Sequence, residues 1–584
     1  MRILARLLGF VQKYWPTLLI AFTCLLMATA FSIVIPRMIG DGIDTVLGSG
    51  KRSLVIIAAV VVVAASALRG VAGYGQRYFN EVVAQRVSYR IRNTLYERLQ
   101  RLSFSFHDRS QTGQLMSRAT VDVEAVRMFF ALGLLGMVQV LLMVIAVAYM
   151  LLAMDWKLGL ITFAFIVPVA WLAISFGSRI RPIWLRVQAM LGFMGTTLEE
   201  SLAGISVVKA FSHQKQDSRK FASQTRSLYD EQIHAARLMA VNMPTMVLLF
   251  SIPTAVVLWY GGRDVIAGSM TIGQVTQFIL YIGMLVMPIR RLGMMVNLYS
   301  RTMSAGQRIF EILDTESAVR EKPNAIELGR VKGHVRFENV SFSYDKIGSA
   351  LKNVSFEVQP GQLVALLGRS GSGKSTIANL LARFYDVTEG RILVDGIDIR
   401  DVTLASLRQN VVTAQQDVFL FSATIRENIA YGAVDASMEQ IVEVARAAYL
   451  NDFIEALPDG YNTWVGERGD TLSGGEKQRL SIARTLLVNP GILILDDSTA
   501  SVDSETEKLI RQALDKLIKG RTTFIITHRI PIIRNADIIL MLQDSELVEQ
   551  GTHEELIARN GVYKDIYESQ LLVQQESQEG QVEE

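Results

Sequence analysis

The chain of 584 residues contains one cysteine, Cys24, so an intrachain disulfide is impossible and a metal cluster built on thiolates is excluded. Cys24 lies in an apolar run and reads as a small buried hydrophobe. Charge is also scarce. Asp, Glu, Lys and Arg make up only 20% of the residues and balance to +3. That charge implies no nucleic acid or other polyanion as a partner. Among the 12 prolines, Pro168, Pro253 and Pro288 fall inside apolar runs. Membrane bundles tolerate this placement because neighbouring helices satisfy the freed carbonyls.

What the chain has in quantity is apolar surface: 50% of its residues are hydrophobic and the mean hydropathy is +0.28. Its length exceeds what one compact core can organise, so membrane spans combined with a soluble part are expected. Stretches long enough to cross a bilayer recur at Trp15–Met38, Leu54–Tyr74, Phe129–Met154, Trp156–Phe176, Thr245–Tyr260 and Ile272–Val296. This gives roughly six spans at about 20 apolar residues each. The first follows Met1-Arg2-Ile3-Leu4-Ala5-Arg6, is longer than a signal-peptide core and lacks a small-residue cleavage pattern, so it reads as a retained membrane helix.

The third and fourth spans are separated only by Asp155-Trp156-Lys157, which predicts a tight hairpin. The segment after the second span carries arginines from Arg77 to Arg127, and the segment after the fourth carries Arg179, Arg181, Arg186, Lys209 and Lys215. Positive-inside reasoning places both segments and both termini in the cytoplasm, although Lys51 and Arg52 fall on the outer side. The spacing Val83…Val87…Ile91…Leu95…Leu99 is helical, so the spans are predicted to run on far into the cytoplasm. Polar turns near Phe106–Gly113 and Phe211–Asp217 are either solvated hairpin tips or contacts that pass motion to a cytoplasmic domain.

Beyond a Pro/Gly-containing linker at 316–333 the pattern changes to short β-like runs, starting at Val335. The apolar run Leu363–Leu367 leads into Gly368-Arg369-Ser370-Gly371-Ser372-Gly373-Lys374-Ser375-Thr376 and then a helical pattern. Strand, GxxxxGKS and helix together are the context of a phosphate-binding loop. Glycines let backbone N–H groups turn toward phosphate, and the helix N-terminus adds partial positive charge. Lys374 is expected at the β- and γ-phosphates of ATP and Ser375 on Mg²⁺. A second anion-ready helix start follows at Leu472-Ser473-Gly474-Gly475-Glu476-Lys477-Gln478. Ile492–Leu495 is an apolar strand that delivers Asp496 and Asp497, and a carboxylate so placed can hold Mg²⁺. Thr523–Thr527 delivers His528.

In this order the motifs resemble the nucleotide-binding domain of ABC transporters. The resemblance makes Tyr344 the adenine-stacking aromatic, Gly368–Thr376 the Walker A loop and Gln416 the Q-loop glutamine, which touches both nucleotide and Mg²⁺. It makes Thr463–Gly469 the X-loop, Leu472–Gln478 the signature, Ser501-Val502-Asp503 the D-loop and His528 the switch histidine. Six spans followed by one nucleotide domain resemble a half-transporter of the exporter type. The implied architecture is an all-α six-helix transmembrane domain with long cytoplasmic helical extensions (1–315), a linker (316–333) and an α/β P-loop ATPase domain (334–571). A tail at 572–584 is read as disordered. The resemblance also implies a dimer in which each ATP lies between one P-loop and the other chain's Ser473, Gly474 and Gly475, with Asp503 nearby. Catalytic roles fall to Asp497, His528 and Gln416, and metal contacts to Ser375, Gln416 and Asp496.

One position departs from the family. The residue after the Mg²⁺ carboxylate is usually glutamate, and here it is Asp497. A carboxylate withdrawn by roughly 1 Å can cost on the order of 10²-fold in rate. The chain is therefore expected to pair with a second half-transporter bearing the glutamate. A homodimer with two slow sites, or a membrane ATP sensor that does not transport, stand as alternatives. The spans are rich in Leu, Val, Met and Phe, which suits a lipophilic cargo and suits lipid-facing helices equally. Asp41 and Asp44, at the outer end of the first span, meet either a cation or water.

Overall fold

A computed structural model describes residues 2–49, 52–344, 348–414, 418–497, 504–527 and 529–569. The chain forms two units, one of residues 1–100 and 112–315, the other of residues 101–111 and 316–584.

The first unit is helical. A short amphipathic helix α1 (Arg2–Val11) precedes α2 (Trp15–Ser49), and α3 (Arg52–Arg101) is one uninterrupted helix of 50 residues. After a six-residue helix α4 (Phe104–Arg109), which packs in the second unit, come α5 (Leu134–Met154), α6 (Trp156–Ala203), α7 (Gln214–Ile266) and α8 (Ile272–Asp314). At about 1.5 Å per residue α3 is about 75 Å long, more than twice the ~30 Å hydrocarbon core, so the cytoplasmic extensions expected from the sequence are present. Val83, Val87, Ile91 and Leu95 form a buried stripe along α3, as their spacing requires.

Four helical stretches, 2–48, 53–101, 112–154 and 214–266, carry apolar windows long enough to span. In α6 and α8 the apolar parts among the described residues are shorter, Trp156–Val169 and Ile272–Pro288. The hairpin between α5 and α6 is tighter than expected. Asp155 alone separates the helices, and its carboxylate caps α6 by accepting from the N–H groups of Lys157 (2.8 Å) and Leu158 (2.9 Å). Cys24 is half-buried, with Gly75 across from it; a Cβ on that glycine would come within 2.9 Å of Sγ.

At the outer end α2 and α8 are latched. Asp44 accepts from the Thr271 hydroxyl (2.6 Å) and the Gly273 N–H (2.8 Å), while Asp41 accepts from Gln277 (3.1 Å). Both carboxylates therefore serve helix packing. Deeper down, the Tyr281 hydroxyl donates to the Ile33 carbonyl (2.7 Å).

The second unit is α/β. Its main sheet has the order β12-β11-β3-β10-β9-β6, formed by β3 (Leu363–Gly368), β6 (Val411–Ala414), β9 (Ile492–Asp497), β10 (Thr522–Thr527), β11 (Ile538–Gln543) and β12 (Glu546–Gly551). All neighbours are parallel except the β11–β12 edge pair. A second sheet, β2-β1-β4-β5, is antiparallel and comprises β1 (Val335–Phe342), β2 (Leu351–Val358), β4 (Glu389–Val394) and β5 (Ile397–Asp398). The central strands are apolar throughout because both faces are covered. Val364, Leu366, Ile492, Ile494 and Phe524 point into one core, beneath β1, β2 and α9 (Lys374–Leu381). Ala365, Leu367, Leu493, Leu495 and Ile525 point into the other. That second core lies under α10 (Ile425–Ala430), α11 (Met438–Ala447), α12 (Gly474–Val488) and α13 (Ser504–Ile518).

The 316–333 stretch is fastened to this unit. Ile326 exchanges hydrogen bonds with Asp401 and Thr403, Val331 enters the core, and Asp395 collects the N–H groups of Lys332, Gly333 and His334. Arg383, 1% exposed, donates to the Arg320 carbonyl (2.9 Å), to Ile399 (3.1 Å) and to Asp386 (2.8 Å).

Candidate nucleotide-binding site

The site sits at the carboxyl ends of the parallel strands, where α/β sheets place ligands. Register fixes its frame: Leu366 of β3 is level with Ile526 of β10, which is level with Asp496 of β9. With strands about 4.8 Å apart, Asp496 stands about 10 Å across the sheet from the strand that feeds the loop. Thr527 lies opposite Asp497.

Between β3 and α9 the chain wraps into the loop Gly368–Gly373. Gly373 has φ +106°, and a Cβ there would come within 2.6 Å of Leu351 Cδ2 and 2.7 Å of the Ala350 carbonyl, so only glycine fits. α9 begins at Lys374, earlier than the sequence pattern suggested, which places the Ser375 and Thr376 N–H groups in its first turn. Lys374 folds over the loop, its Nζ donating to the Gly368 (2.8 Å) and Arg369 (2.9 Å) carbonyls. Burial pushes its pKa below the ordinary lysine value, and Asp496 opposes that shift. An incoming polyphosphate would favour the charged form. The Ser372 hydroxyl, in a residue 5% exposed, has no hydrogen-bond partner. A glycine-shaped cradle with an orphaned hydroxyl, a lysine and a helix N-terminus fits a phosphate group.

Tyr344 is 41% exposed, and its hydroxyl lies 3.3 Å from Thr376 Oγ1 and 3.4 Å from Asn379 Nδ2. Phe342 and Tyr385 meet its ring edge-on, at centroid distances of 4.8 and 5.0 Å. A partly exposed ring held at its edges and tied to α9 suits stacking on a base. Tyr385 was not singled out by the sequence. Its hydroxyl donates to Asp108 on α4, where Phe104 stacks on Phe384 at 4.3 Å and Arg109 donates to the Tyr344 carbonyl at 3.3 Å. α4 thus touches Tyr344, at its carbonyl, and Tyr385, whose ring packs on that of Tyr344. Residues 384 and 385 follow α9 without periodicity, so only the aromatic pair itself could have signalled them.

Ser473 caps α12 through a capping box: its N–H donates to Glu476 (2.8 Å) and its side chain accepts from the Glu476 N–H. Gly474 opens the helix and Gly475 is buried within its first turn. Arg479, buried beneath, donates to the Tyr449 carbonyl (2.6 Å). The X-loop segment pairs Trp464–Val465 (β8) with Ala423–Thr424 (β7). Among the described residues no three His, Cys, Asp or Glu side chains cluster. A hydroxyl (Ser375), a carboxylate (Asp496) and phosphate oxygens would form a hard oxygen donor set of the kind that suits Mg²⁺. Gln416, Asp503, His528 and the side chain of Asp497 lie outside the described residues.

Comparison with known proteins agrees with this frame. The family model described as "ABC transporter transmembrane region" matches residues 18–289, and the one described as "ABC transporter" matches residues 351–500. The chain is 36% identical over 571 residues to an ATP-dependent lipid A-core flippase of Syntrophus aciditrophicus (strain SB), covering 98% of this chain and 95% of the relative. It is also 36% identical over 580 residues to the putative multidrug export ATP-binding/permease protein YgaD of Bacillus subtilis (strain 168), covering 98% and 100%. A solved structure of a bacterial Atm1-family ABC exporter with ATP bound superposes with a TM-score of 0.79 at 31% identity, covering 95% of this chain and 98% of the other. The chain is a membrane-spanning member of the ABC transporter family, an exporter-type half-transporter whose nucleotide-binding ATPase domain couples ATP hydrolysis to transport.

Proposed function

We propose that this chain is one half of a dimeric exporter that moves a lipophilic or lipid-like small molecule outward by alternating access, and that it supplies the slower of two nucleotide sites. The observation that carries the second part is Asp497, which follows Asp496 at the end of β9 where the family uses glutamate. The names of the flippase and multidrug relatives support the cargo class. In this reading Lys374, the loop N–H groups and Ser372 bind the phosphates and Tyr344 stacks on adenine. Ser375, Asp496 and Gln416 hold Mg²⁺, which would neutralise charge on the transferred phosphoryl group. The capped start of α12 at Ser473 serves the partner's nucleotide. Its dipole is directed at an anion that the chain's own P-loop does not need it for.

The partner is a second half-transporter with glutamate at the corresponding position, rather than a second copy. Expressing this chain alone in proteoliposomes and measuring Mg-ATPase tests the pairing. Turnover should be low, and Asp497→Glu should raise it by on the order of 10²-fold. Robust turnover of the unmodified chain alone would refute the heterodimer. ATP-driven flux in vesicles separates the pump from a membrane ATP sensor.

A further inference from the structure

Where the chain enters the bilayer from the cytoplasm, α1, the start of α2 and the middle of α3 meet. α1 is fastened along the end of α8. Arg6 donates to both oxygens of Asp314 (2.7 and 2.6 Å) and lies 3.8 Å above the centre of the Phe310 ring. Gly306 makes room for α1, since a Cβ there would come within 2.8 Å of Ile3 Cγ2. The level of α3 in the bilayer follows from its contacts with α2. Gly42 lies against Ala58 and Gly75 against Cys24, an antiparallel register. At about 1.5 Å per residue, Trp15, where the first apolar run begins, is about 14 Å from Cys24, and Arg86 is about 17 Å beyond Gly75. Arg86 therefore stands about 3 Å outside the apolar edge and Arg90 about 9 Å outside it. The headgroup layer is about 5–8 Å deep on each side, so Arg86 lies within it and Arg90 at its outer margin. Trp15, 63% exposed, marks the same edge as an interfacial aromatic.

The two arginines are held by rings of the N-terminal segment. The guanidinium of Arg86 lies 5.8 Å from the centre of the Tyr14 ring, and that of Arg90 lies 5.5 Å from the centre of the Phe10 ring. Both distances are within cation–π range. Residues one turn apart share a helix face, so the two guanidinium groups are neighbours. A ring against the face of a guanidinium leaves its in-plane N–H donors free, and that fork matches a phosphate. Lys13, exposed between α1 and α2, adds a third positive charge. Neither Arg86 nor Arg90 has an ion-pair partner among the described residues. No acidic residue occurs in 2–20 or in 82–96. The carboxylates closest to these segments are already engaged, Asp314 by Arg6 and Glu81 by Arg127.

We infer that Arg86, Arg90 and Lys13 bind the phosphate of an anionic phospholipid of the cytoplasmic leaflet, a resident ligand rather than cargo. Three positive charges repel the cation of a zwitterionic head, so a net negative head is selected. The lipid seats α1 against α3, and because α1 also holds Phe310 and Asp314, it steadies the end of α8. The test is equilibrium binding to the full-length chain in dodecyl maltoside, with dioctanoyl phosphatidylglycerol, dioctanoyl phosphatidylcholine and glycerol phosphate as probes. The phosphatidylglycerol should bind at least about tenfold more tightly than the phosphatidylcholine. Arg86→Gln with Arg90→Gln should abolish that preference. Arg219→Gln with Lys220→Gln, which removes the same charge from the start of α7, should keep it. Equal binding of the two lipids, or equal loss in both double variants, would overturn the inference. So would competition by glycerol phosphate at the lipid's own concentration, the mark of a site for soluble anions. Hydrogen exchange on the unmodified chain decides the matter even if the arginine variant does not fold. Phosphatidylglycerol, and not phosphatidylcholine, should slow exchange at residues 2–14 by about threefold or more, and unchanged exchange there would refute the site.

Discussion

Removing the Tyr385 hydroxyl should uncouple the nucleotide site from α4 without emptying it. Burial and the neighbouring Asp108 carboxylate push the Tyr385 pKa well above its ordinary value, so the phenol stays protonated and donates. A hydrogen bond to a charged acceptor contributes about 1.5–3 kcal/mol when shielded from water. Asp108 lies at the surface, so solvent screening reduces this to about 1–2 kcal/mol. That corresponds to about a 5- to 30-fold change in the equilibrium that holds α4 against Phe384 and Tyr385. The phenylalanine ring left by Tyr385→Phe still meets Tyr344 edge-on, so the base-stacking surface persists.

The assay is substrate-stimulated ATPase in the reconstituted dimer, alongside the Kd of a fluorescent ATP analogue. Stimulation should fall by about 5- to 30-fold while nucleotide affinity changes by less than about threefold. Asp108→Ala should reproduce the loss, and the double variant should be no worse than either single one, because all three remove one interaction. Additive losses, or nucleotide affinity falling as far as stimulation, would refute the reasoning.

Further perturbations follow from the same geometry. Gly273→Ala would place a Cβ 2.1 Å from the Gly40 carbonyl and 2.4 Å from Asp44 Oδ2. A clash with backbone cannot be absorbed by a rotamer, so a loss of about 1–3 kcal/mol and a lower unfolding temperature are expected. Gly73→Ala, where nothing lies within 4 Å, should be neutral or slightly stabilising by the same measurement. Phe104→Ala, which removes the stack on Phe384, should mimic Tyr385→Phe in the stimulation assay. His553, packed on Tyr563 and near Arg534, has its pKa held below the ordinary value, mainly by burial. The folded state thus binds this proton less readily than the unfolded one. Its stabilising contribution is full above about pH 6.5 and is lost as pH falls through that value toward the lower folded pKa. Thermal melts between pH 5 and 8 should show this slope, and His553→Gln should flatten it.

The elements visible in the sequence are those whose signal is local. A P-loop announces itself because glycine, lysine and hydroxyl must stand at fixed spacing on one turn, and the signature helix because Ser473 and the two glycines after it mark its start. The long helices were legible from Val83, Val87, Ile91 and Leu95, whose spacing is the burial pattern itself. What escaped depends on partners far apart in the chain. Arg86 and Arg90 pass as two more positive charges of a cytoplasmic extension until Tyr14 and Phe10 are seen beside them. Asp41 and Asp44 read as meeting either a cation or water, but Gln277, Thr271 and Gly273 donate to them from more than two hundred residues away. Asp497 is the opposite case. The methylene it lacks relative to glutamate is read from the sequence directly.

One helix gathers these threads in the nucleotide unit. α9 starts at Lys374, on the phosphate loop, and its last turn leads directly into Arg383, Phe384 and Tyr385. Arg383 fastens the chain arriving from α8 through the Arg320 carbonyl, and the two aromatic residues receive α4. An eight-residue helix is about 12 Å long and moves as a rigid body, so a shift at its N-terminus must appear at its C-terminus. Its far end thus adjoins the anchors of two segments, α4 between α3 and α5 in the chain and the 316–333 strap after α8. This is why the loss of one phenolic hydroxyl should be felt in substrate stimulation before it is felt in nucleotide binding.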